Sequence, residues 1–504
     1  MDHRINRTGN FWPSTLPGGL ARTLLGIDPD FGFAVLLGLP ASVFYLAPWP
    51  GLYIPALVVL AVLSWRRVDL ALPLVIVFAP LFMLPKHLGS KEFAPSEILL
   101  LLDVAIVLLW TLRAQTRSRL DLTRLRTPFM APALLFLFAG LLSTTFAADR
   151  HQALQYYRED ILEPLLFFGL ILVTATRPSR WRLLFAGLLV AGLMAGIVGI
   201  AQFATHQDLT VDAGSTLQKV RSVYDSPNNL GLLLDRVIPV WLAIFAGGAL
   251  LRKRGRWLAW SILGVILLLT LFLTYSRGAW IGVALAVIAI AVLMRRGGKW
   301  VALVCIVLAA GVAVAGGPKI KQLVTSGHSN TGQQRLYLWH SSERMILAYP
   351  VLGVGPDNFE HYYAPTRKQD LYQRVCAPGV GYMQPQAGSE PCLSHPHNEF
   401  LDFWLSTGIL GLASFIWLEI LFWQTMLASR SSRDLQTRVL TLAASGAMVA
   451  SLVHGLVDNS YFLQDLSLLF WLLCGYAAYR RWTESRLESR SDASAAKPLP
   501  AATR

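Results

Sequence analysis

"WLAWSILGVILLLTLFLTYSRGAWIGVALAVIAIAVLM", residues 257 to 294, is strongly apolar and carries a single charge, Arg277, which with Ser276 interrupts it. A helix needs roughly 20 apolar residues to cross a bilayer, so the stretch is long enough for two crossings and the interruption is the turn between them. Basic clusters flank the pair, LRKRGR at 251–256 and RRGGK at 295–299. Lys and Arg concentrate in the cytoplasmic loops of membrane proteins. The hairpin therefore has both outer ends on the cytoplasmic side and its turn on the external side.

The same pattern extends along the chain. Of its 504 residues, 54% are hydrophobic and 15% charged, whereas a soluble domain carries roughly a quarter charged residues. Apolar runs fall at approximately 30–48, 50–65, 68–85, 96–113, 129–146, 161–176, 182–203, 229–251, 257–275, 278–294, 299–316, 399–427, 437–457 and 461–479. The expected fold class is all-α, a polytopic integral membrane protein with about 12–14 transmembrane helices. The opening segment is broken by Pro and Gly before any apolar run, unlike a cleavable signal peptide, so the first helix is expected to do the targeting. No internal repeat is visible, which disfavours transporter folds built from duplicated bundles.

A net charge of +14 raises the question of a nucleic-acid partner. Its distribution answers it. The N-terminus, Arg66 with Arg67, Arg113 to Arg126, Arg177 to Arg182, Arg252 to Arg256, Arg295 to Lys299, Arg430 to Arg438 and the C-terminal tail hold 29 of the 44 Lys and Arg. These segments alternate with the remaining loops and are all cytoplasmic if both termini are. The charge thus reports topology, and no nucleic acid is expected. The resulting plan is a cytoplasmic segment 1–29, membrane helices 30–316, an external segment 317–398, membrane helices 399–479 and a cytoplasmic tail 480–504 expected to be disordered. Within the external segment, "QQRLYLWHSSERMILAYP" reads as an amphipathic helix ended by Pro350 and the following GVG. Cys376 and Cys392 share this segment. They are either a disulfide closing a loop of about 17 residues, worth roughly 3 kcal/mol, or two free thiols.

Four stretches place polar or cationic groups on the external face. In "RSVYDSPNNLGLLLDR", Arg221 precedes a turn where Asn228 or Asn229 could cap the next helix, and a plain cap with a solvated arginine explains it equally well. Ser276 and Arg277 lie at the hairpin turn; a snorkelling arginine is the plain alternative, but this cation stands against the positive-inside trend. Arg335 and Trp339 are four apart, on one helix face. Trp339 either anchors at the membrane interface, the commoner role, or stacks on a sugar. In "HPHNEFLDFWLSTGILG", His395 and His397 precede Asn398, placed to start a helix whose N-terminal dipole Glu399 would favour. A His-x-His pair can bind metal, but no third ligand sits at a helpful spacing and no metal is expected. Neighbouring cations favour the neutral imidazole that a base requires.

If these groups converge, they suit displacement of a diphosphate: arginine forks take the charge developing on the leaving group while a histidine accepts the proton of the attacking hydroxyl. "SRGAW", "RLYLW" followed by "YPVLGVGPDNF", "HPHNEFLDFWLSTGILG" and "HGLVDNSYF" together resemble the O-antigen ligase and polymerase superfamily of bacterial envelopes. The resemblance runs from about Arg221 to Asp458, and its hallmark is His397-Asn398 followed by Gly408 and Gly411. It implies a glycosyltransferase in the bacterial inner membrane, with its active face periplasmic. The implied donor is an undecaprenyl diphosphate-linked glycan, the acceptor a lipid A core or another glycan, and no cofactor is needed. It implies that His397 is catalytic and that Arg221, Arg277 and Arg335 bind the diphosphate, with His395, Asn398, Trp339 and Ser276 in support.

Three acceptors remain open within that superfamily: the lipid A core for a ligase, a second lipid-linked unit for a polymerase, and a protein Ser or Thr for an oligosaccharyltransferase. The His-Asn motif favours the ligase. A transporter of the lipid-linked glycan is the reading from another class, since Asp103, Asp235, Arg236, His454 and Asp465 are ionisable groups in or near spans. Asp235 and Arg236, adjacent on a helix, are expected to face apart and to need separate partners. Confinement of the cations to the external rim argues against alternating access.

Overall fold

The computed structural model describes residues 29–211, 217–247, 254–294, 331–363 and 394–495. The expected span at 299–316 and the pair Cys376 and Cys392 lie outside the described residues.

The described chain is a bundle of helices with two short antiparallel hairpins, Lys86–Leu88 with Lys91–Phe93 and Thr210–Val211 with Gln218–Lys219. In chain order the helices are α1 (Pro29–Leu46), α2 (Pro50–Arg66), α3 (Val68–Phe78), α4 (Pro95–Leu112), α5 (Met130–Phe146), α6 (Arg150–Tyr156), α7 (Glu163–Thr174) and α8 (Pro178–Thr205). They continue with α9 (Pro227–Gly247), α10 (Arg254–Thr274), α11 (Arg277–Leu293), α12 (Thr331–Ala348), α13 (Phe359–Tyr363), α14 (Glu399–Ser429), α15 (Leu435–Gly455) and α16 (Gln464–Ala495). Among the described residues, seven helices are long and apolar enough to cross a membrane, and four more stretches are shorter apolar helices. This is an all-α, multi-pass membrane protein. A bilayer core offers backbone groups no water, so a helix, which satisfies them internally, is the form such apolar runs must take.

Depth in the bundle follows composition. α16 is almost wholly apolar around its circumference from Leu466 to Tyr479 and is buried on all sides there; α9 is likewise buried on all sides from Leu230 to Ile244, although it carries Asp235 and Arg236. A helix hydrophobic all round belongs in an interior. α9 packs on α15 and α11, α14 on α5, and α8 on α3. Peripheral helices turn apolar side chains outward, including Leu39, Leu46, Leu112 and Val292, the surface a lipid solvent calls for.

Ion pairs and hydrogen bonds at one end join the basic segments. Arg67 and Arg180 each bind Asp30 and Asp69, Gln436 donates to the Pro178 carbonyl, and Arg124 donates to the Thr176 carbonyl and lies 3.8 Å from the Trp482 ring. The histidines and the 351–363 loop gather at the other end, so the alternation read from charge is an alternation of helix ends.

Two local readings change. α9 is capped not by Asn228 or Asn229 but by Ser226, whose Oγ accepts from the Asn228 amide at 3.1 Å; Asn229 instead donates to Asp225. The apolar run beginning at Glu399 is not one straight helix. Gly408 breaks it with φ 71° and ψ −176°, a conformation only glycine adopts readily. The loop after α12 docks into that break: Val354 and Gly355 amides donate to the Leu405 carbonyl at 2.7 and 3.2 Å, and the Ile409 amide donates to the Val351 carbonyl at 3.2 Å. The carbonyl and amide that the break removes from the helix ladder are thereby satisfied.

Candidate active site at the mouth of the bundle

Asn398 begins α14, its Oδ1 accepting the Leu401 amide at 3.1 Å and its Nδ2 donating to the Leu456 carbonyl at 3.0 Å. This double attachment ties the start of α14 to the end of α15. The residue before it, His397, has φ 49°, the left-handed region that costs a side-chain-bearing residue roughly 1–2 kcal/mol. The turn carries its imidazole to the α15–α16 loop, where Nδ1 lies 2.7 Å from Oδ1 of Asp458.

Asp458 is 3% exposed and is shared. Its Oδ2 lies 3.5 Å from Nη2 of Arg335 and 3.9 Å from Nε2 of His454, and Oδ1 also accepts the Asn459 amide at 2.9 Å. Burial alone raises a carboxyl, but here His397, then His454 and Arg335, outweigh it and hold Asp458 well below the usual carboxylate range. The group is an anion at any pH near neutrality.

α12 lies across this pair. Arg335 reaches Asp458, and Trp339, one turn on, directs Nε1 to the His397 carbonyl at 3.4 Å. The shared face expected of these two residues is the face that meets the histidine. Beside them opens a groove of about 520 Å³ lined by Leu336, Trp339, His340, Glu343, Asn398, Phe400 and Leu401.

The other candidate residues are placed as follows. Arg277 opens α11 and is exposed; its neighbour Gly278 abuts the His454 ring, 2.6 Å separating Nε2 from where a Cβ would stand. Arg277 therefore stands one residue from the cluster. Ser276 is buried, its amide donating to Thr274 Oγ1 and its side chain packed on Gly231 of α9. It closes the α9–α11 contact. Arg221 is engaged in its own loop, with Nη1 donating to the Tyr224 carbonyl at 3.0 Å and Nη2 3.9 Å from Asp208. His395 faces away from His397: Nδ1 is 3.2 Å from Asp402 and Nε2 is 3.6 Å from Asp357. Burial lowers its basicity, but Asp402, Asp357 and Asp160 together raise its pKa to about 9. It is a cationic clasp between α14 and the 351–363 loop. The two histidines thus serve different carboxylates, and no group of three or more His, Cys, Asp or Glu among the described residues could hold a metal ion.

Asp458 is the partner that sequence reading did not assign. The available signal was its place in "HGLVDNSYF", four residues after His454. Asp235 and Arg236 are also paired more closely than expected: Arg236 Nη1 contacts Asp235 at 3.1 Å, while its Nη2 donates to Ser451 and to both oxygens of Ser460. A guanidinium's five donors reach a neighbour on the same helix and a second element at once.

An imidazole–carboxylate pair with Arg335 against it, and Arg277 nearby, thus stand at one mouth of an all-α membrane bundle. Residues 262–416 match the family model described as O-antigen ligase, and that segment holds Arg277, Arg335, Trp339, His395, His397 and Asn398. The match bears out the resemblance over that segment and supports a ligase- or polymerase-type role in O-antigen processing. No curated protein matches this chain.

Proposed function

We propose that this protein is a glycosyltransferase that moves a glycan from undecaprenyl diphosphate to an acceptor hydroxyl, the lipid A core, at the periplasmic face of the inner membrane. The observation that carries the reading is the His397–Asp458 pair. With Nδ1–H donated to the buried Asp458 anion, Nε2 is the proton acceptor, and the carboxylate stabilises the imidazolium that forms.

The acceptor hydroxyl gives its proton to His397 Nε2 as its oxygen bonds to the anomeric carbon. The bond from that carbon to the diphosphate oxygen breaks, and its electron pair leaves with the diphosphate. Arg277 and Arg221 take up the developing charge through the forked donors that suit phosphate oxygens. Arg335, already against Asp458, acts nearer the base than the leaving group. The donor's lipid stays in the bilayer beside Phe400 and Leu401, which explains why an apolar helix opens with ionisable residues.

The test is incubation of purified protein with an undecaprenyl diphosphate oligosaccharide, alone and with lipid A core. Transfer only when lipid A core is present supports the reading. A ladder of longer lipid-linked chains without it replaces the ligase with a polymerase, and undiminished transfer by His397→Ala overturns the assignment of the base.

A further inference from the structure

Behind the His397–Asp458 pair lies a second imidazole that the reaction as written does not use. His454, on the last turn of α15, is 1% exposed. Its Nδ1 lies 2.7 Å from Oδ2 of Asp235 and its Nε2 3.9 Å from Oδ2 of Asp458. Both ring nitrogens face carboxylates, so the ring bridges two buried acids. Asp235, 0% exposed, is held in turn by Arg236, which is anchored on Ser451 and Ser460. These contacts make a continuous chain from the open mouth inward: His397, Asp458, His454, Asp235, Arg236.

Four elements meet on this chain. α9 supplies Asp235 and Arg236, α15 supplies His454, the α15–α16 loop supplies Asp458, and α14 begins right after His397. The other charged groups facing it are Arg335 from α12, at Asp458, Glu399 from α14, whose Oε2 lies against Gly455, and Arg277 from α11, beside the glycine that abuts the His454 ring. His454 also reaches the carboxylate that orients the base, its Nε2 within ion-pair range of Oδ2 though beyond hydrogen-bonding distance, and its ring rests against Gly278, where an added Cβ would overlap Cδ2.

We propose that His454 is a positioning residue for the transfer reaction: fixed by Asp235, it holds the Asp458 carboxylate in the orientation that sets the tautomer and basicity of His397. This deepens the glycosyltransferase reading and rests on it for its catalytic consequence, while the coupling among the side chains can be observed without turnover. In metal sites, mutating the partners that orient a ligand histidine costs roughly 10–100-fold in affinity or activity, and an effect of that order is expected here.

The experiment compares wild type, His454→Gln and the near-isosteric Asp235→Asn as purified full-length proteins labelled with ¹⁵N-histidine, with His397→Gln identifying the His397 signals. Transfer from undecaprenyl diphosphate oligosaccharide to lipid A core, and melting temperature, are measured on the same samples. Both variants are expected to move the His397 ring signals and their titration midpoint. They should also lower kcat by roughly 10–100-fold with little change in KM, and shift the acidic limb of the pH–rate profile. Unchanged His397 signals in either folded variant overturn the proposal, as does a lowered melting temperature with wild-type kcat and pH profile. If His397→Gln transfers normally, the assignment of His397 as the base fails, and if wild type shows no transfer the glycosyltransferase reading fails; in either case the ring signals still decide the coupling.

Discussion

The imidazole of His397 and the carboxylate of Asp458 are 61 residues apart in the chain and 2.7 Å apart in space. Asp458→Asn keeps the shape of the partner but can donate to Nδ1, which favours the tautomer with its proton on Nε2. Transfer is expected to fall on the order of 100-fold or more, with donor KM nearly unchanged, measured as initial rates across pH.

Gly278→Ala tests the packing behind the pair. The added methyl overlaps the His454 ring, whose neighbours leave it little room. Activity per folded molecule is expected to drop by roughly 10-fold, with a smaller effect on donor binding than Arg277→Ala has. Wild-type kcat in Gly278→Ala would show that the ring yields without consequence.

Gly408→Ala tests the docking of the 351–355 loop. The backbone there is in a region costing other residues roughly 1–3 kcal/mol, and the new Cβ overlaps the Val351 carbonyl. The melting temperature in detergent should fall markedly. Substituting Ala for Gly38, which has nothing near its Cβ position, should leave it nearly unchanged.

The His395 clasp predicts a pH dependence. Its pKa is raised from 6.5 to about 9, burial being outweighed by Asp402, Asp357 and Asp160. A folded-state pKa above the unfolded one adds stability that is complete below about pH 6.5 and is lost as pH rises through about 9. Melting temperature should decline across that window in wild type, and the decline should be shallower in His395→Gln.

The apolar runs, their length and the alternation of basic loops were enough to define an all-α membrane bundle and which helix ends lie together, because a bilayer leaves the backbone few alternatives. The motif around His397 was likewise legible: Asn398 caps its helix through a contact three residues away, and Arg335 and Trp339 share a face because helical geometry requires it. The pairing of that histidine was not legible. Asp458, His454 and Asp235 lie on segments separated by up to 223 residues, and only the packing of α9, α15 and α16 brings their buried charges together. The break at Gly408 reads in sequence as an apolar helix, and only the docked loop, offering a carbonyl and two amides to the interrupted ladder, makes glycine's rare conformation the stable one. Local rules set what each segment becomes; which polar groups meet in a low-dielectric interior is decided by the fold, since each buried charge must find its partner there.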